Sequence, residues 1–125
     1  MRVVQINLHR SRAASAALCR AMESLDIALI QEPWTNKQVI RGLGSVEGTL
    51  IYDRSSDRPR TAILVKKNFQ VLPLTLFCSR DLVAVRITNK KGSPKDFVIG
   101  SAYLPYDDPK PPPTEAVERL VKSCR

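Results

Sequence analysis

Two short strand-like runs flank one amphipathic helix at the start of this chain, and that arrangement constrains the fold more than any other feature. Residues 2–8 carry the polar Asn7 near their exit, and residues 26–31 run directly into Glu32-Pro33-Trp34. If both strands enter one sheet in parallel, the connection is a right-handed crossover. Both then point the same way, and Asn7 and Glu32 finish at the same sheet edge. Neighbouring strands lie about 4.8 Å apart, so an amide and a carboxylate meet where open α/β sheets hold ligands. A divalent metal ion and a phosphate suit that pair of groups.

Between the two runs, Ser11 is the expected helix N-cap. Ala14, Ala17, Leu18, Ala21 and Leu25 follow at helical spacing as the expected buried stripe. The run Asp26-Ile27-Ala28-Leu29-Ile30 is apolar throughout, as in a strand covered on both faces. The pattern weakens over residues 35–60, where Gly42, Gly44 and Gly48 mark turns, residues 50–52 read as a short strand, and residues 53–60 form a polar loop with three arginines. Strands are expected over residues 61–65, 69–77 and 82–88, with a hairpin turn at 89–93 and a further strand over 97–104. A proline-rich linker over 107–113 leads to a last helix starting near Thr114, with Val117, Leu120, Val121 and Cys124 as its apolar stripe. The order predicts an α/β (α+β) fold: a mixed β-sheet with helices packed on one face.

The chain has 125 residues, enough for one domain with one core. Hydrophobic residues make up 43%, which excludes a disordered tail. A net charge of +8 favours a polyanionic partner, with nucleic acid ahead of an anionic membrane. No apolar run approaches the roughly 18 residues needed to span a bilayer, so no membrane role is expected. Cys19, Cys78 and Cys124 are odd in number and widely spaced, forming neither a disulfide framework nor a zinc pattern, and an intracellular compartment is expected. His9 is the one histidine, which excludes mechanisms that need two from this chain.

Four segments appear in order: Gln5-Ile6-Asn7-Leu8, Ala28-Leu29-Ile30-Gln31-Glu32-Pro33-Trp34, Thr61-Ala62-Ile63, and Ser101-Ala102-Tyr103-Leu104-Pro105-Tyr106-Asp107. With them the chain resembles the first part of an endonuclease/exonuclease/phosphatase domain. More narrowly, it resembles the apurinic-endonuclease-like domain of insect-type non-LTR retrotransposon polyproteins. The resemblance implies a four-layer α/β/β/α sandwich and Mg²⁺-dependent (or Mn²⁺-dependent) hydrolysis of a DNA phosphodiester. In such elements the nick primes reverse transcription, which implies a nuclear site of action, DNA as partner and a C-terminal reverse transcriptase domain. Carried over by position, Glu32 matches a metal-binding glutamate, Asn7 the asparagine that organises the metal and phosphate, and Tyr103 the tyrosine at the scissile phosphate. Such roles suit Mg²⁺, which prefers hard oxygen ligands and keeps several waters.

The chain departs from the family pattern at His9, where many relatives carry an aspartate, and at Tyr106, where some carry an asparagine. The family's later motifs, Gly-Asp-x-Asn and Ser-Asp-His, are missing. The resemblance therefore implies that residues 1–125 are one partial domain, roughly its N-terminal half, and that the chain alone is inactive. An open apolar sheet face, and self-association through it, are expected of such a half. Two alternatives stay open: a non-catalytic, basic nucleic-acid-binding remnant, and another phosphodiesterase or phosphatase branch of the same superfamily.

Several residues carry two readings. Trp34 either stacks on a base or covers the edge of the core. Arg54, Arg58 and Arg60 either contact DNA phosphates or form a solvated charged loop. Asn7 is a site residue or closes an Asx turn. Glu32 is a metal ligand or a solvated strand-end carboxylate, and Tyr103 is a phosphate contact or an ordinary half-buried tyrosine. His9 reads as a solvated loop residue with no acid beside it, and Asp107 and Asp108 read as structural.

Overall fold

The computed structural model describes residues 1–89, 96–105 and 109–124. The elements run β1 (Val3–Asn7), α1 (Arg12–Ala21), β2 (Ile27–Gln31), β3 (Thr35–Asn36), β4 (Val39–Ile40), β5 (Gly48–Ile51), β6 (Thr61–Lys66) and β7 (Phe69–Pro73). A 3₁₀ turn (Thr75–Phe77), β8 (Leu82–Asn89), β9 (Phe97–Ala102) and α2 (Glu115–Ser123) follow. Residues 90–93 of the expected hairpin turn, and the positions Tyr106, Asp107 and Asp108, lie outside the described residues.

The mixed α/β class is as the sequence implies, but the strands divide into two principal sheets instead of joining one. The first has the order β1-β2-β6-β5, and the second β7-β8-β9; β3 and β4 form a small separate hairpin. β1 and β2 are parallel, with Asn7 opposite Gln31, and β6 runs antiparallel to both β2 and β5. The second sheet is antiparallel throughout.

β8 shows why one sheet could not suffice. Val83, Val85 and Ile87 point to one face, and Leu82 and Ala84 to the other, and all five are buried. A strand that is apolar on both faces needs two covers. The first set joins the main core with Ile27, Ile63 and Val65 of the first sheet. The second set packs with Leu120, Ala116 and Val117 of α2. The apolar inner face of the first sheet is therefore closed over β2 and β6, contrary to the open face expected of a half domain. The outer face of that sheet, Ala28, Ile30, Ala62 and Leu64, is equally buried and shares a core with Leu18 and Met22 of α1. The layers read α1, first sheet, second sheet, α2.

The cover stops one strand short. Val3, Gln5 and Asn7 pair with Ile27, Leu29 and Gln31 and so share the inner face, yet all three are exposed. β9 lies over β2 and β6.

Both helices begin as expected. The Ser11 hydroxyl accepts from Ala14 N, and the Thr114 hydroxyl from Val117 N. The stripe on α1 is rotated by one residue: Ser15, Leu18 and Met22 are buried, while Ala17 and Ala21 are exposed. Ser15 tolerates burial because its hydroxyl donates to Ser11 O at 2.8 Å. On α2, Val121 and Cys124 are exposed, because Ala116, Val117 and Leu120 are the residues that meet the sheet. The run expected as one strand over 69–77 stops at Pro73 and tightens into the 3₁₀ turn. Proline supplies no ladder donor and is tolerated here because β7 is an edge strand.

Candidate active site

One end of the sandwich collects the exits of β1, β2 and β9 and the entries of β6 and β8. A buried polar cluster fixes that end. The Gln31 amide donates to Ser101 Oγ at 3.0 Å, and the Thr61 and Ser101 hydroxyls lie 2.6 Å apart. Both hydroxyls also approach the carbonyl of Ile30. These three side chains join the two sheets directly beneath the strand ends. Gln31, Thr61 and Ser101 all lie in the sequence segments singled out above, but alternation alone gives no sign that three polar side chains from separate strands meet.

Above the cluster, Asn7 and Glu32 leave neighbouring strands at the same edge. Asn7 Oδ1 accepts the His9 N–H at 2.8 Å, so the Asx-turn reading describes its local contact. An amide oxygen has two lone pairs, and one hydrogen bond leaves the other for a ligand. Glu32 has φ +49, unusual for a residue with a side chain. Two backbone bonds hold it there: its N–H donates to Arg60 O at 2.9 Å, and its carbonyl accepts from Arg10 N at 2.8 Å. His9 and Arg10 are also left-handed, at φ 49 and 55. Three residues in a costly backbone region thus gather at the exits of β1 and β2, the pattern of a site fixed by its surroundings.

The Glu32 carboxylate is about one-quarter exposed, with Oε2 3.8 Å from His9 Nδ1. No acid neighbours His9 in the sequence, but the fold puts Glu32 there, because the turn after β1 folds back over the end of β2. The contact is an ion pair only when the imidazole is protonated. Arg10 Nη1 on the same turn is buried and has no hydrogen-bond partner among the described residues.

Tyr103 follows β9 directly, and its N–H donates to Asp81 O at 2.9 Å. The Arg60 guanidinium lies 4.5 Å from the centre of its ring. The same guanidinium donates from Nε and Nη2 to the two Asp81 carboxylate oxygens, each at 2.6 Å. Asp81 carries no motif signal, and only the fold reveals its part.

The remaining residues divide. Arg54 is exposed and stacks on Tyr52 at 4.5 Å, donating to the Tyr52 hydroxyl. Arg58 is exposed at φ 50. The Trp34 ring packs over Gly42, where an added Cβ would stand 2.9 Å from the ring, and carries Arg12 at 5.7 Å from its centre. That is the position of a residue covering the core edge beside α1, and Gly42 at φ +84 is the turn residue that admits it.

No protein-family model matches the sequence, and no curated protein does. Among solved structures, the chain is similar to the endonuclease domain of TRAS1, a telomere-specific non-LTR retrotransposon, at TM-score 0.72 and 22% identity. The match covers 99% of this chain and 53% of that one. The chain therefore has the fold of that endonuclease domain over about half of its length.

Proposed function

We propose that this chain supplies the metal-binding and phosphate-contacting portion of a Mg²⁺-dependent DNA endonuclease site, in which Mn²⁺ can replace Mg²⁺. The observation that carries this reading is the convergence of Asn7, Glu32 and Tyr103 at one end of two stacked sheets. Glu32 and Asn7 would hold the ion through hard oxygens. Among the described residues no three His, Cys, Asp or Glu side chains gather. That donor set fits an ion whose remaining positions go to water and substrate phosphate, as Mg²⁺ prefers, and does not form a closed protein cage. A bound ion would polarise the phosphoryl oxygen and stabilise the leaving oxygen. The Tyr103 hydroxyl would donate to a non-bridging oxygen as charge builds there. The net charge of +8, with Arg54 and Arg58 exposed, favours approach of a polyanion. Arg10, with one buried donor unmatched, suits an incoming phosphate oxygen.

The likeness to a retrotransposon endonuclease domain supports a nuclease role; nicking of genomic DNA in the nucleus, ahead of priming by a reverse transcriptase domain, is proposed from the family resemblance of the four sequence segments. Because the chain spans about half of that domain, efficient cleavage is proposed to need the rest of it, and this chain alone binds without cutting.

The test is Mn²⁺-induced line broadening in amide NMR spectra of the full chain. Broadening centred on Asn7 and Glu32, lost in Glu32→Gln, is expected. Broadening elsewhere, or unaffected by Glu32→Gln, overturns the metal assignment. Mg²⁺-dependent plasmid nicking that Glu32→Gln abolishes would overturn only the claim of inactivity.

The basic charge also favours a second reading, a nucleic-acid-binding module without catalysis. It predicts duplex affinity that falls steeply with salt but does not change with chelator or Glu32→Gln.

A further inference from the structure

Arg60 touches both halves of the candidate site. Its carbonyl accepts the Glu32 N–H at 2.9 Å, on the side of the first sheet. Its guanidinium lies over the Tyr103 ring, on the side of the second. Its own N–H donates to Arg80 O at 2.9 Å, beside Asp81. Asp81 then binds the guanidinium with both carboxylate oxygens and accepts the Tyr103 N–H with its carbonyl. The Arg60 and Asp81 side chains are 21% and 30% exposed, so the pair is partly withdrawn from water.

The chemistry of that geometry is specific. A fork-to-fork pair fixes the guanidinium plane as well as its position. A plane fixed over an aromatic face restricts the ring beneath it through cation–π attraction, which strengthens as the pair is withdrawn from water. Lysine offers neither the fork nor the plane.

Resting on the functional reading above, we infer that Arg60, held by Asp81, is a positioning residue for Tyr103. It aims the phenol toward the edge where Glu32 lies and is not itself a phosphate contact. The residue that fixes the tyrosine is the one whose backbone fixes the glutamate. The two groups are thereby held in register across two sheets.

The experiment uses the full chain with Tyr103 ring signals assigned by comparison with Tyr103→Phe. Arg60→Met and Asp81→Asn are expected to shift the Tyr103 ring resonances, while amide signals of the β2 and β6 interior stay in place. Arg60→Lys restores charge without the fork and is expected to leave the shift largely uncorrected. Unmoved Tyr103 ring signals in Arg60→Met overturn the inference. In duplex-binding titrations, Arg60→Met and Tyr103→Phe should each weaken affinity about 2- to 10-fold, the scale of one lost hydrogen bond. The double variant should lose no more than either single one. Additive losses, with a salt slope lower by about one in Arg60→Met, assign Arg60 to direct phosphate contact and overturn positioning. The ring signals need neither metal nor DNA. A chain that binds no duplex removes the functional reading and leaves the ring signals to decide the role of Arg60. If Arg60→Met fails to fold, Asp81→Asn carries the same ring test.

Discussion

The Ser101 hydroxyl of the second sheet lies 2.6 Å from the Thr61 hydroxyl of the first. Both side chains are buried, and Ser101 also accepts from the Gln31 amide. The contact ties β9 to β6 where an apolar pair would leave the two sheets free to slide. Ser101→Ala would orphan the Gln31 donor and take a partner from Thr61. Unfolding in urea should show a loss of about 1–3 kcal/mol, the usual cost of an unmatched buried polar group. Combining it with Thr61→Val should cost less than the sum of the two single changes, because the residues share one network. Full additivity would mean that the hydroxyls act independently.

Gly48 opens β5 opposite Lys66, and a Cβ there would stand 2.1 Å from the Val65 carbonyl oxygen. That oxygen belongs to β6, an interior strand of the first sheet, and cannot move aside as a flexible side chain could. Gly48→Ala should therefore displace the start of β5 and lower stability by about 1–3 kcal/mol, in the range of overpacking changes. Thermal unfolding checks this; a melting temperature equal to that of the parent would show that β5 pairs less tightly than the geometry states.

Among the described residues β1 is an edge strand with one flank unpaired, and Val3 is 45% exposed on its inner face. Exposed edges of this kind pair with other chains. Self-association is expected at this edge, since the wider sheet face is closed. Sedimentation equilibrium should find a concentration-dependent dimer, weakened several-fold, on the order of 10-fold (about 1.4 kcal/mol), by Val3→Lys, a charge of the type that protects natural edges. A monomer at all concentrations would refute it.

Far from the site, Glu47 and Lys67 form an exposed ion pair. Hydrogen bonding to Lys67, then its charge, holds the Glu47 carboxyl below its ordinary range, and Glu47 raises Lys67 in the same way. A lowered carboxyl stabilises the fold above its ordinary value and loses that contribution as pH falls through the lowered one. A raised lysine stabilises below its ordinary value and loses the contribution as pH rises through the raised one. The melting difference between the parent and Glu47→Gln should therefore be largest near neutrality and shrink in acid, in strong base and in molar salt. The difference should be small, as exposed pairs are. A difference that grows in acid would contradict the assignment.

What the sequence determined by itself was local. Ser11 and Thr114 cap their helices because a hydroxyl there meets a free N–H within three residues. β1 and β2 leave Asn7 and Glu32 at one edge because a parallel pair joined by a helix points both exits the same way. The tertiary structure decided what depends on residues distant in the chain. The strands of residues 69–102 formed a second sheet because β8 is apolar on both faces, and alternation cannot say what covers each face. α1 turned its stripe by one residue because Ser15 satisfies its hydroxyl within the helix and packs beneath Gly42 and Trp34. In the sequence Arg60 is one of three loop arginines; in the fold Asp81, 21 residues further on, takes the Nε–Nη2 edge of its guanidinium with both carboxylate oxygens. Chain-local patterns report hydrogen bonds and periodicity, whereas the partner of a charged side chain is set by which strand ends the sheets bring together.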